Sequence, residues 1–267
     1  MKTFRRKTYE IEIPKLKGGQ NIKFAVLSDL HGIEYGLDNQ ELYEAILEEE
    51  PDAVLILGDM LVRSRLSTID PAESLIIKLA DHFPVLYALG NHEYALLENE
   101  HVREEYLAYE RRLTNAGVCF LHNEHAGMEI RGTDFVFYGL ELPKQYYRKP
   151  KSPMLSLTEM EKLIGTPYMD GIHVLLAHNP KYGHTYFSWG ADLILSGHYH
   201  GGVFRISEHY GLTCPQFLVL PPYCCGDFHE GGRHMVVSAG LGEHTIPIRI
   251  HNPRELLLVV LKLPVEH

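Results

Sequence analysis

The feature that most constrains the fold of this chain is a set of five short apolar runs, each of which leads into Asp, Asn or His. Runs of this length without polar alternation are typical of strands buried on both faces. The runs and the polar residues that follow them are 23–27 with Asp29 and His31, 53–57 with Asp59, 85–89 with Asn91 and His92, 173–177 with His178, and 193–195 with His198 and His200. Ligands bind beyond the carboxyl ends of parallel strands, so the pattern predicts one site built from several strand ends.

Segments with helical periodicity accompany the first three runs. They predict helices over 39–50, 71–81 and 100–115, with Asp70 as the N-cap ahead of Pro71. Because strands and helices alternate in this half, we expect its strands to pair in parallel.

The second half has a different character. Further strands are predicted at 135–138, 217–220, 235–238 and 256–263, without long helices between them. The segments 141–153 and 210–233 are rich in Pro, Gly and Tyr and are predicted to be long loops. These loops either border the mouth of the site or are ordinary surface connections.

Composition limits the classes of function. A chain of 267 residues predicts a single domain over 1–267. The formal charge of -10 argues against stable nucleic-acid binding, whereas a small anionic substrate stays compatible with it because bound metal ions invert the local field. Four cysteines without a C-x-x-C pair suit a reducing cytosol. With no apolar run of about 18 residues and no signal-peptide core, we expect no transmembrane segment and a cytoplasmic protein.

The polar residues at the strand ends have the chemistry of a metal site. They offer carboxylate, imidazole and carboxamide groups without a thiolate, a set that fits Mn, Fe or Zn. Seven side chains with one shared carboxylate would give each of two divalent metal ions four protein ligands. Gly58, Gly90 and Gly197 stand beside these positions and are expected to allow tight turns and close backbone approach.

In their order along the chain, these motifs resemble the calcineurin-like metallophosphoesterase family. They read D-x-H at Asp29, G-D at Asp59, G-N-H-E from Gly90, a single His178 and G-H-x-H from Gly197. The tail, G-L-G from residue 240 with P-x-R at 247–249 and P-R-E at 253–255, is similar to the bacterial YkuE-type phosphodiesterase branch. The resemblance implies an α/β fold with four αββα layers, in which two mixed β-sheets form a sandwich flanked by helices.

The resemblance also implies roles for the motif residues. Asp29, His31 and His200 would bind the first metal, Asn91, His178 and His198 the second, and Asp59 would bridge them. From its own position directly after Asn91, His92 is expected at the cavity edge as the non-ligand catalytic residue, which protonates the leaving alkoxide or stabilises transition-state charge; the alternative is that it only orients its loop. The chain departs from the branch at Tyr199, commonly Thr, and at Val203, commonly Gln, which affects substrate preference and not the ligands.

The motif set predicts hydrolysis of a phosphodiester or pyrophosphate bond, in a small molecule or a lipid headgroup, by in-line attack of a hydroxide that bridges the metals. Two alternatives stay open: a phosphomonoesterase, and a non-catalytic scaffold that retains the metals. The sequence lacks the Arg-Gly extension of Ser/Thr protein phosphatases after Asp59. Val62 stands where purple acid phosphatases have a metal-binding Tyr.

Other polar residues have weaker signals. Arg63 and Arg65 either contact a second phosphate or form a solvated face, and residues 146–149 are either a substrate rim or a surface loop. His244 lies in the Gly-rich tail motif. The histidines expected to be structural are His82, His101, His122, His125, His173, His209, His229, His234, His251 and His267.

Overall fold

Twelve strands and six α-helices organise the chain in the computed structural model, which describes residues 2–17, 19–149, 151–167, 170–243 and 248–263. The strands are β1 Arg5–Glu12, β2 Ile22–Leu27, β3 Ala53–Ile56, β4 Val85–Tyr87, β5 Cys119–Phe120, β6 His125–Ile130, β7 Thr133–Leu140, β8 Ile172–Ala177, β9 Leu193–Ser196, β10 Gly226–Glu230, β11 Arg233–Val237 and β12 Glu255–Lys262. The helices are α1 Gln40–Glu49, α2 Ile69–Ala80, α3 Asn91–Glu98, α4 Arg103–Asn115, α5 Leu157–Ile164 and α6 Gly183–Trp189.

The strands form two mixed sheets of six strands each. The first has the order β1-β12-β2-β3-β4-β5, and the second has the order β10-β11-β9-β8-β7-β6. In the first sheet β2 to β5 run parallel, while β12 lies antiparallel to β2 and parallel to β1. In the second sheet β7, β8, β9 and β11 are parallel, with antiparallel strands at both edges.

Three buried apolar layers hold these elements together. Between the sheets, Phe24 of β2 meets Phe135 and Phe137 of β7 edge to face, with ring centroids 5.7 and 5.8 Å apart. Helices α1, α2 and α4 pack on the outer face of the first sheet, and α5 and α6 pack on that of the second. The predicted four-layer αββα architecture is therefore confirmed.

The five apolar runs are strands, as predicted, with ends that shift by at most two residues. Helix α2 begins at Ile69, so Thr68 is its N-cap and Asp70 is not. Pro71 occupies the third helical position, which is tolerated because the first four N–H groups of a helix have no intrahelical acceptor. The helix predicted over 100–115 is α4, and α3 was not predicted as a separate helix.

The prediction of a strand over 217–220 was wrong. Phe217 and Leu220 have left-handed backbone with φ of 58° and 49°, which interrupts an extended strand. Pairing there is limited to an isolated bridge between Thr213 and Val219. Strand β1 was not predicted, because its charged first half is exposed and only its second half buries apolar side chains.

Candidate metal centre

All seven predicted ligands lie together at the carboxyl-terminal edge of both sheets. Asp29 and Asp59 follow β2 and β3, and Asn91 begins α3 after β4. The second sheet contributes the other three strand-end positions: His178 after β8, and His198 and His200 after β9. His31 completes the set from the turn after β2.

Donor atoms of these residues cluster into two groups with the spacing that a metal ion needs. Asp29, His31 and His200 form one group, and Asp59, His178 and His198 form another; within each, the donor atoms lie within 4.8 Å of one another. A third group of the same spacing joins His31, Asp59 and His92. Asp59 is thus shared between neighbouring groups.

The backbone at the site is left-handed at five of the seven positions. Asp29, His31, Asp59, His198 and His200 have φ between 51° and 63°. Few side chains adopt this conformation, and it concentrates at functional sites where the surrounding fold imposes it. Here it turns the chain sharply after β2, β3 and β9, so that the side chains that follow these strands point into a common space.

The motif glycines differ in the structural reason that requires a glycine. Gly58, with φ of 87°, needs the left-handed region that glycine allows. Gly90 and Gly197 are needed for space instead, because a Cβ at Gly90 would overlap Asp59 and one at Gly197 would overlap Ser28. A Cβ at Gly58 would also overlap the backbone of Gly90, so close approach applies to all three glycines and the positive φ of a tight turn is found at Gly58 alone among them.

Both site carboxylates are buried and receive backbone hydrogen bonds. The His198 N–H donates to Asp29 at 3.1 and 3.2 Å, and the Ser28 hydroxyl donates to the same carboxylate. The His92 N–H donates to Asp59 Oδ1 at 2.8 Å. Burial raises the pKa of Asp29. Burial also acts to raise the pKa of Asp59, but nearby histidines, His178 foremost, bring it well below its usual value.

His178 is oriented for ligation. Its Nδ1 lies 2.7 Å from the carbonyl oxygen of Leu57, so this nitrogen donates. Its Nε2 then faces Asp59 Oδ2 at 3.1 Å and Asp29 Oδ1 at 3.8 Å. A metal-binding histidine is typically fixed in this way, with its outer nitrogen bonded to a carbonyl. Burial acts to lower the pKa of His178. The negative charges of Asp59 and Asp29 together have the larger, opposite effect, so the pKa is raised to about 9.

Asn91 gives an independent indication that a cation fits. Its Oδ1 is buried and accepts no hydrogen bond from the described part of the chain. A buried amide oxygen without a donor is costly unless a ligand satisfies it. The donor set of two carboxylates, imidazole nitrogens and this oxygen suits divalent ions such as Mn, Fe or Zn.

Glu93 is a buried residue whose role the sequence did not reveal. Its carboxylate accepts from the backbone N–H groups of Asp59 at 2.8 Å, Leu61 at 3.0 Å and Gly90 at 3.2 Å. Burial, helped by the nearby charge of Asp59, raises its pKa to about 7. The available signal was its spacing three residues after Gly90, the position of the acidic partner in a capping box.

A cavity of about 780 Å³ opens onto the site. The predicted ligands that line it are His31, Asp59, Asn91, His198 and His200, and His92 lines it beside them. Its rim carries the basic side chains Arg63, Arg65, Lys144, Arg148 and Lys149. The wall is therefore locally positive although the chain carries a net charge of -10. Tyr147 from the same rim meets the His198 ring edge to face at 5.1 Å.

The structure also locates the remaining residues singled out in the sequence. Residues 144, 147–149 and 215 line the cavity, so parts of both predicted loops border its mouth, although 226–230 forms β10. Tyr199 is fully buried behind the site. His122 bonds Glu110 and Glu141 away from the cavity. His244 and His267 lie outside the described residues.

No helix within the described ranges combines the length and the apolar character needed to cross a bilayer.

Comparison with known proteins identifies the family. Residues 22–202 match the family described as calcineurin-like phosphoesterase. A Danio rerio transmembrane protein with a metallophosphoesterase domain is 30% identical over 96% of this chain and 57% of its own length. Bacillus subtilis metallophosphoesterase YkuE is 23% identical over 92% of this chain and 80% of its own length. Escherichia coli phosphodiesterase YaeI is 25% identical over 82% and 75%, respectively.

The chain thus spans little more than half of the Danio rerio relative. The matched region, residues 22–202, contains all five strand-end motifs. As those motifs predicted, this chain belongs to the calcineurin-like phosphoesterase family.

Proposed function

We propose that this chain hydrolyses a phosphodiester or pyrophosphate bond with the help of two divalent metal ions. The observation that carries the proposal is the position of Asp59 Oδ2, which lies 3.1 Å from His178 Nε2 and 3.8 Å from His31 Nε2. Asp59 belongs both to the cluster with His178 and His198 and to the cluster with His31 and His92, whereas Asp29 belongs to one cluster only. This sharing is the arrangement expected of a bridging ligand. The name of the Escherichia coli relative, a phosphodiesterase, favours diesters.

Each donor group would hold one ion. Asp29, His31 and His200 would bind the first, and His178, His198 and Asn91 the second, with Asp59 shared. Ions bound there would polarise the phosphoryl group and lower the pKa of a coordinated water. Glu93 would keep Asp59 in place by accepting its backbone N–H.

His92 would act on the leaving group. Its Nδ1 accepts the backbone N–H of Arg63 at 3.1 Å, so in the neutral ring the proton must reside on Nε2. The ring lines the cavity and lies 4.7 Å from the ring of His31. An N–H held there can donate a hydrogen bond that stabilises the negative charge developing on the oxygen that leaves phosphorus, a contribution typically worth about 10²–10³-fold in rate.

The basic rim would bind the anionic substrate. Arg63 and Lys149 lie close enough that their charges lower the pKa of His92, an effect that adds to the larger one of burial. Opposite charge at a cavity mouth raises the local concentration of a phosphoester. The substrate class would therefore be a small molecule or a lipid headgroup.

The test combines metal analysis with turnover of a chromogenic phosphodiester, a pyrophosphate diester and a phosphomonoester. Chelation should abolish diester turnover, and Mn²⁺ should restore it. Asp59→Asn should lower both metal content and turnover, the latter at least about 100-fold, because it removes the shared charge. Asp134→Asn, at an exposed position on β7, is the matched control and should behave as wild type.

Two outcomes would contradict parts of the proposal. A folded, metal-loaded protein that hydrolyses none of the three substrates would be a scaffold and not an enzyme. Preferred turnover of the monoester would overturn the diester assignment and leave the metal-dependent hydrolase in place.

A further inference from the structure

Large apolar side chains are exposed together on one segment beside the cavity. We call it the apolar ribbon and define it as residues 203–220 with 248–250. Eight large apolar side chains there are between 42% and 71% exposed: Ile206, Tyr210, Leu212, Phe217, Val219, Leu220, Ile248 and Ile250. Single exposed apolar residues are ordinary, whereas a contiguous group of this size marks an interaction surface.

Backbone pairing shows that these side chains are neighbours. The Leu212 N–H donates to the Phe204 carbonyl at 2.8 Å, and the Leu220 N–H donates to the Leu212 carbonyl at 3.0 Å. An isolated parallel bridge places Ile250 opposite Phe204. Residues opposite one another in paired strands share a face, so Leu212 and Ile250 project to the same side, as does Ile206, two residues after Phe204.

The charged side chains of the apolar ribbon are engaged within the fold. Arg205 lies 3.8 Å from the buried carboxylate of Glu255, and Glu208 pairs with Lys7. Arg249 donates to the backbone carbonyl of Gly242 at 2.6 Å. With two arginines and one glutamate, the ribbon itself is not acidic, although the whole chain carries -10.

The ribbon continues directly into the basic rim of the cavity. The Lys149 ammonium lies 5.0 Å from the centre of the Phe217 ring, and Lys149 lines the cavity together with Arg63 and Arg148. Apolar anchors bordered by Lys and Arg are the combination that binds an anionic lipid surface. A second copy docked through the same face would set its own basic rim against this one, so the two rims would repel each other.

We propose that the apolar ribbon inserts into the surface of an anionic lipid bilayer and holds the cavity mouth against the headgroups. In this orientation the phosphoester of an amphiphilic lipid enters the cavity while its acyl chains stay in the bilayer. The lipid substrate class rests on the proposed function; the docking does not, because it requires no catalysis.

The test measures binding of the full chain, with metal removed by a chelator, to vesicles of phosphatidylcholine with and without phosphatidylglycerol. Binding should require the anionic lipid. The double variant Leu212→Ser/Leu220→Ser should weaken it about tenfold, because two apolar anchors that lie opposite each other are lost. Leu37→Ser is the matched control: Leu37 is 83% exposed but lies outside the ribbon, so its loss should leave vesicle binding unchanged.

Turnover of a water-soluble diester by the double variant should equal that of wild type, which shows that the variant is folded. The docking proposal would be overturned, even if the enzyme is active, by either of two results: wild-type protein that does not bind anionic vesicles, or a double variant that binds them as well as wild type. Self-association that the double variant abolishes, in a wild type without vesicle binding, would assign the ribbon to a second copy and equally overturn it. Vesicle binding with no turnover of any phosphoester would refute the proposed function and the lipid substrate class, while the docking stands.

Discussion

At the scale of single residues, the candidate site combines unfavourable backbone with well-satisfied side chains. Non-glycine residues in left-handed conformation cost about 1–3 kcal/mol each, less for Asp and Asn than for other types. Asp29 and Asp59 occupy such positions, yet both receive backbone hydrogen bonds that fix their carboxylates. The left-handed backbone at these positions lowers the stability of the fold, and it directs the side chains toward a common site.

His92 provides the prediction at this scale. His92→Ala should lower kcat for the diester about 100-fold while metal content stays at the wild-type level, because Nε2–H is lost and no predicted ligand is removed. His92→Gln, which keeps an N–H donor, should recover part of that loss. The exposed His229 serves as the control through His229→Ala, which should leave kcat unchanged. An unchanged kcat in His92→Ala would remove His92 from the reaction.

At the scale of elements, His122 connects helix α4 to the segment that follows β7. Its ring nitrogens lie 2.9 Å from Glu110 Oε1 and 2.7 Å from Glu141 Oε1. Hydrogen bonds to Glu110 and then Glu141 raise its pKa to about 10. The protonated ring, which follows β5, thereby links helix α4 to the segment that follows β7 of the second sheet.

This link predicts a pH-dependent stability. The folded pKa of His122 lies above the unfolded value of about 6.5, so its stabilisation is complete below about pH 6.5 and disappears as pH rises through about 10. His122→Ala should lower the free energy of unfolding by about 1–3 kcal/mol near neutral pH. Denaturant titrations from pH 6 to pH 10 should show the gap between variant and wild type closing.

His101→Ala, at an exposed histidine outside this link, is the matched control for the loss of a histidine side chain. A gap for His122→Ala that stays constant over this range would mean that packing, and not charge, supplies the stabilisation.

The sequence predicted those elements whose signals are local. The runs ahead of Asp29, Asp59 and His178 are buried on both faces, so continuous hydrophobicity identified them as strands. Strand β1 was missed because its partner is β12, some 250 residues later, and half of its side chains face water. The prediction of a strand over the apolar segment 217–220 was wrong for a different reason. Its hydrophobic residues are exposed, and no sequence pattern distinguishes an exposed apolar segment from a buried one.

The convergence of the candidate donor residues could be anticipated from the sequence, because these residues stand in short motifs after the strands. Glu93 and the Arg63 N–H act on Asp59 and His92 through backbone hydrogen bonds, which depend on three-dimensional proximity and leave little trace in residue type.

At the scale of the whole molecule, the two sheets are joined through the aromatic contacts of Phe24 with Phe135 and Phe137. All three side chains are fully or almost fully buried between the sheets. We propose that the chain unfolds as one cooperative domain, since this interior is shared by both sheets.

Phe137→Ala should therefore lower the free energy of unfolding by about 3–5 kcal/mol, with the transition remaining single. Calorimetry and denaturant unfolding measure both quantities. Phe217→Ala, at a phenylalanine that is 65% exposed, should change the free energy of unfolding by less than about 0.5 kcal/mol. Two separate transitions would contradict the single domain.

The division of the strand-end residues between the two sheets has a consequence for fragments of the chain. A cut in the connection between β5 and β6 would separate Asp29, Asp59 and Asn91 from His178 and His198. Each piece would retain a share of the donor atoms too small to hold a pair of ions. Under the proposed function, recovery of hydrolysis on mixing the pieces would report directly on reassembly, so that phosphoester cleavage would serve as a sensor of how the two halves come together.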